Sequence, residues 1–98
     1  IAHLGEAFGI DVEVHACGPA HRHVMGAMRN SNFYEVALVG PDCPNAVPPV
    51  YACGYSDLLE SVEPDGCVLV PDGPGLGVIY DWEFINANIT NVTVFNNR

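Results

Sequence analysis

Apolar residues along the chain switch between two periods. Ile1, Leu4 and Phe8 recur at i, i+3 and i+7, the stripe of a helix, and Gly9 is placed to cap its C-terminus. This opening stretch, which has no initiator Met, reads as the end of a helix already under way before Ile1. Ile10, Val12 and Val14 then alternate with Asp11, Glu13 and His15, as in a half-buried strand. Gly18-Pro19 breaks that strand, and Pro19 suits the first helical position because its missing N–H has no intrahelical partner there. From Ala20 to Asn30 the apolar positions Ala20, Val24, Ala27 and Met28 return to helical spacing, with Arg22 and Arg29 on another face. The pattern predicts a helix of about three turns. Asn30-Ser31-Asn32 ends it, and Phe33 to Val39 is an almost wholly apolar strand interrupted only by Glu35. Such runs are typical of parallel strands covered on both faces.

Helix, strand, helix, strand with short connections is the grammar of βαβ units, so the fold class is α/β with a parallel sheet. Two strands cannot close such a sheet, and the remaining strands are expected upstream of Ile1. Gly40 to Pro49 is a loop rich in Pro, Gly, Asp and Asn. Beyond it, Ser56 to Val62 forms a short helix or turn, Cys67-Val68-Leu69-Val70 a short strand stopped by Pro71, and Asp72 to Gly77 a turn leading into Val78-Ile79-Tyr80. Asp81 is the expected N-cap of a last helix that begins Trp82-Glu83-Phe84-Ile85. There are no internal repeats.

Composition narrows the partners. In a chain of 98 residues, twelve acidic side chains face only Arg22, Arg29 and Arg98, with no Lys, for a net charge of -9. Nucleic acid and anionic membrane surfaces are excluded as expected partners, since both need a basic patch. The apolar runs fall far short of the ~20 residues of a membrane span, and no secretory signal precedes them. Four cysteines, Cys17, Cys43, Cys53 and Cys67, contain no Cys-x-x-Cys pair, so reduced thiols and a cytoplasmic location are expected.

His15 is the first candidate for chemistry. It stands at the C-terminal end of a strand, where (β/α)-barrels place their active sites, and an imidazole takes and returns protons near neutral pH. A structural histidine satisfied by hydrogen bonds is the other reading. Glu35 is the second, because a carboxylate within an apolar strand is costly to bury without a partner. It serves either a structural ion pair or the same strand-end site as His15. His21 and His23 sit two apart, which points them to different helix faces and argues against a metal site with His15. Gly73-Pro74-Gly75-Leu76-Gly77 lacks the lysine of a phosphate loop and reads as a turn. The sequons at Asn88 and Asn91 carry little weight without a secretory signal.

Three stretches together resemble the C-terminal region of the mandelate racemase subgroup of the enolase superfamily, over roughly Ile1 to Ile85. They are Asp11-Val12-Glu13-Val14-His15 before a helix, Asn32-Phe33-Tyr34-Glu35 on the next strand, and Val70-Pro71-Asp72-Gly73-Pro74-Gly75-Leu76-Gly77-Val78. The resemblance implies the last part of a TIM-like (β/α)7β barrel in residues 1–45. Residues 46–98 would then pack on the barrel and complete an α+β capping domain. His15 matches the general acid/base at the end of the seventh strand, and Glu35 the residue at the end of the eighth that hydrogen-bonds the substrate carboxylate as it becomes an enediolate. A protonated carboxyl there donates to developing negative charge.

By the same resemblance the reaction removes the proton α to a carboxylate bound to Mg²⁺. The metal ligands, the Asp that holds His15 and an opposing Lys base would lie upstream of Ile1, so residues 1–98 alone are expected to be inactive. The implied activity is an acid-sugar dehydratase (a hydro-lyase) that eliminates water to a 2-keto-3-deoxy acid. Racemisation or epimerisation of a 2-hydroxy acid is the alternative within the superfamily, and a non-catalytic α/β binding module the alternative outside it. The implied partners are a small carboxylate or sugar-acid substrate, the upstream part of the polypeptide and further copies in a symmetric homo-oligomer.

Overall fold

The computed structural model describes residues 1–37 and 49–95. Among them the chain forms α1 (Ala2–Ala7), α2 (Pro19–Gly26), a 3₁₀ turn at Leu59–Ser61 and α3 (Trp82–Ala87). Local chemistry explains these boundaries. The Gly9 N–H closes α1 on the Glu6 carbonyl at 3.0 Å, Pro19 opens α2 at the first helical position, and the Asp81 carboxylate caps α3 by accepting from the Phe84 N–H at 2.9 Å.

Helix α2 is shorter than its apolar spacing predicts. It ends at Gly26 rather than Asn30, and Met28 N–H already turns back to Met25 O at 3.1 Å. Two features favour the early stop. Glycine is a poor helix former, and Val70 packs so close that a Cβ at Gly26 would meet its Cγ2 at 3.2 Å. The residues released from the helix are put to use: the buried Asn30 side chain donates to Ala2 O at 3.1 Å and to Ile10 O at 2.9 Å. Its own carbonyl accepts the Val12 N–H at 2.7 Å. Asn30 thereby ties α1, the segment after it and the end of α2 together.

The segments 10–16 and 30–35 run side by side in the same direction, because the contacts between them climb together. Val12 meets Asn30, Glu13 meets Asn32 and Phe33, and Ala16 meets Glu35. The parallel order that the alternation suggests is therefore visible up to Glu35, but the bonds run largely through side chains. Among the described residues no ladder forms, and the β-bridges are isolated antiparallel ones, Tyr51 with Tyr80 and Val62 with Val68. The expected strands at 10–15 and 33–39 are thus unpaired as far as they are described. The last two residues of the second, and most of the loop from Gly40 to Pro49, lie outside the described residues.

Burial is sparse and mostly polar. Met25 and Pro19 are the buried apolar residues among those described, whereas Leu4, Phe8, Ile10 and Phe33 are exposed. The radius of gyration is 16.2 Å, against about 13 Å for a compact domain of this size. What is buried is a charged knot. Asp57, 1% exposed, and Arg22, 5% exposed, join α2 to the segment before the 3₁₀ turn. Beside it an aromatic run leads outward, with ring centroids 4.8 Å apart for Tyr51 and Tyr55, 5.4 Å for Tyr51 and Tyr80, and 5.8 Å for Tyr80 and Trp82. The Asp72 to Gly77 segment is a turn, as its composition predicts, closed by Gly77 N–H on Pro74 O at 3.2 Å. None of the described helices is long and apolar enough to cross a membrane.

Candidate active site

His15 and Glu35, singled out separately in the sequence, meet at the upper ends of the two parallel segments. Imidazole Nδ1 lies 2.8 Å from Glu35 Oε2, with the side chains 92% and 48% exposed. The same oxygen accepts the backbone N–H of Ala16 at 2.6 Å. That amide is aimed by an unusual backbone, for Ala16 has φ 73°, in the left-handed region where a Cβ crowds the carbonyl. Its N–H bond, foremost, and the neighbouring imidazole hold the Glu35 carboxyl below the ordinary range for glutamate. Glu35 is consequently an ionised acceptor near neutrality. This differs from the protonated donor implied by the resemblance, because two donors already converge on one of its oxygens.

The pair has a chemical consequence. A carboxylate at Nδ1 holds the proton on that nitrogen and leaves Nε2 as the free lone pair, facing away from Glu35. An imidazole oriented in this way can take up a proton at Nε2.

The loop beneath the pair is fastened from the other face of the second segment. Tyr34, beside Glu35 in sequence, lies with its hydroxyl 2.8 Å from Gly18 N and 2.6 Å from Asp57 Oδ1. Asp57 Oδ1 also accepts from Arg22 Nε at 3.2 Å, Arg22 Nη2 at 2.8 Å and the Tyr55 hydroxyl at 2.8 Å. The guanidinium lies over both rings, 5.1 Å from the Tyr34 centroid and 4.7 Å from that of Tyr55, a geometry that adds cation–π attraction. Its remaining donors reach Leu69 O at 2.9 Å and Ser56 O at 2.6 Å. Burial, reinforced by donation to Asp57, pushes the Tyr34 phenol up, so it remains a donor. Sequence reasoning placed Arg22 on a helix face and Asp57 in a turn and missed their pairing.

The other candidates are drawn apart. His23 Nε2 contacts Leu76 O at 3.2 Å, His21 stands beside Gly18, and neither approaches His15 through a shared ligand. No group of three or more His, Cys, Asp or Glu among the described residues is arranged to hold a metal ion. The described residues by themselves therefore do not fit a Mg²⁺ site. A cleft of about 440 Å³ lies on the far side of the knot, lined in part by Arg22, Cys53, Tyr55, Glu60 and Glu63. His15 and Glu35 do not line it.

Comparison with known proteins sharpens the assignment. A family model described as enolase C-terminal domain-like matches residues 1–84. No curated protein and no solved structure matches the chain significantly. With most of its length covered by that model, the chain belongs to the enolase C-terminal domain-like family.

Proposed function

We propose that this chain supplies the His15–Glu35 part of the active site of an acid-sugar dehydratase. The observation that carries the reading is the 2.8 Å contact between His15 Nδ1 and Glu35 Oε2, which leaves Nε2 free for proton transfer. Family membership supports the enzyme class, since the enolase superfamily consists generally of lyases and isomerases. In this reading the two parallel segments are the last strands of a (β/α)7β barrel in residues 1–45, and residues 46–98 lead back to the capping domain. The exposed Leu4, Phe8, Ile10 and Phe33 are faces that the rest of the barrel covers. The Mg²⁺ ligands come from that same remainder, and the enzyme works in the cytoplasm.

His15 Nε2 takes the α-proton of a bound sugar acid, and the C–H electron pair passes into the carboxylate as an enediolate. Glu35 holds Nδ1–H and offsets the imidazolium charge. The β-hydroxyl then leaves with the proton returned by His15, as water, and the resulting enol becomes the 2-keto-3-deoxy acid by tautomerisation. Proton transfer from a positioned side chain is worth about 10²–10⁴ in rate.

The test is His15→Asn in the intact polypeptide, assayed against a panel of aldonic and aldaric acids. Loss of 2-keto-3-deoxy acid formation with retained folding is the expected result. Undiminished turnover would rule out the role given to His15, and inversion at the α-carbon without elimination would replace the dehydratase by a racemase.

A further inference from the structure

We infer that Tyr34 is a positioning residue for the His15–Glu35 pair, acting through Gly18 and the strained backbone of Ala16. The inference rests on the catalytic reading of that pair. A phenol has one proton, and the shorter contact, 2.6 Å to Asp57 Oδ1, takes it. The phenolic oxygen is then left as the acceptor for the Gly18 N–H at 2.8 Å. Asp57 thus fixes the polarity of the Tyr34 hydroxyl, and Tyr34 fixes the loop.

That loop needs fixing. Ala16 at φ 73° occupies a conformation that L side chains rarely adopt, and such backbone persists only where its surroundings over-determine it, whereas Gly18 reaches φ 143° freely as a glycine. Two anchors do so from opposite faces of one segment: Glu35 takes the Ala16 N–H at 2.6 Å, and Tyr34 takes the Gly18 N–H. If the second anchor is lost, Gly18 is left with an unmet donor and Ala16 is free to return to an ordinary conformation. Its N–H then swings off Glu35, and the carboxylate no longer has a fixed oxygen to offer Nδ1. Tyr55 is the internal control. It donates to the same Asp57 oxygen at 2.8 Å but makes no hydrogen bond to Gly18.

The experiment compares Tyr34→Phe with Tyr55→Phe in the intact polypeptide, reading amide exchange of the 14–18 segment by mass spectrometry together with kcat and KM on the dehydrated sugar acid. Tyr34→Phe is expected to speed exchange there by roughly fivefold, the scale of one lost hydrogen bond. It should also lower kcat about tenfold while leaving KM nearly unchanged, the pattern of a lost transition-state arrangement. Tyr55→Phe should cost stability without that kcat loss. Equal kcat in Tyr34→Phe and the wild type, or equal losses in the two variants, overturns the role of Tyr34 while leaving His15-dependent turnover standing. Turnover that survives His15→Asn removes the catalytic reading and this role with it.

Discussion

Asp57 presents a single carboxylate oxygen to both Nε and Nη2 of Arg22, at 3.2 and 2.8 Å, across 35 residues of sequence. Both groups are almost wholly buried. Such a pair is a modest source of net stability, because desolvation offsets much of the Coulomb gain, yet breaking it from one side strands a charge.

Asp57→Ala is therefore expected to destabilise the folded protein by about 3–5 kcal/mol. Denaturant unfolding of the intact polypeptide measures it. A loss below about 1 kcal/mol, the range of exposed pairs, would show that the knot is open to solvent.

Glu35→Gln keeps the shape and the acceptor for Ala16 N–H but removes the charge beside the imidazole. We expect kcat to fall about 100-fold, within the range for disturbed acid–base catalysis, with correct folding and little change in KM. A variant as fast as the wild type would show that Glu35 is not the counter-ion of His15.

Glu13 is a second lowered carboxyl. It accepts from Asn32 N at 2.9 Å, Phe33 N at 3.1 Å and Ser31 Oγ at 3.0 Å, and these bonds, that to Asn32 foremost, hold its titration below the ordinary glutamate range. A carboxyl with a depressed folded pKa contributes stability that is present above its unfolded pKa and is lost as pH falls through the folded one. The wild type should accordingly melt above Glu13→Gln at pH 7. The gap should narrow as the medium is acidified below the ordinary glutamate range and vanish once Glu13 is protonated in both states. A gap that widens on acidification would contradict this account.

Gly77 has φ 68°, and a Cβ there would lie 2.8 Å from the Pro71 backbone carbonyl. Backbone cannot give way as a flexible side chain does. Gly77→Ala should cost about 1–3 kcal/mol for the forced shift, with left-handed strain of about 1–2 kcal/mol added. Thermal unfolding that matches the wild type would mean that the turn adopts another conformation.

What the sequence made legible was local chemistry. Pro19 and Asp81 mark helix starts because their effects reach only a few residues, and both stand where expected. The parallel course of 10–16 and 30–35 could be anticipated from alternation and apolar content, and it brought His15 and Glu35 to one end. Asp57 could not be read in this way. Its partners lie 35, 23 and 2 residues away, and nothing in Tyr55-Ser56-Asp57-Leu58 distinguishes a buried acid from a turn residue. The hydrogen-bond ladder failed to appear among the described residues for a related reason: a strand's pairing depends on neighbours, and these segments find mostly side-chain partners with only scattered backbone bonds such as Val12 N–H to Asn30 O.

The aromatic run has an optical consequence. Trp82 is the single tryptophan of the chain, and Tyr80, Tyr51 and Tyr55 lead from it to the hydroxyl on Asp57. Light absorbed by these tyrosines is passed to the indole over such short separations, so tyrosine-excited Trp82 emission reports how closely the C-terminal segment is seated on the buried charge pair.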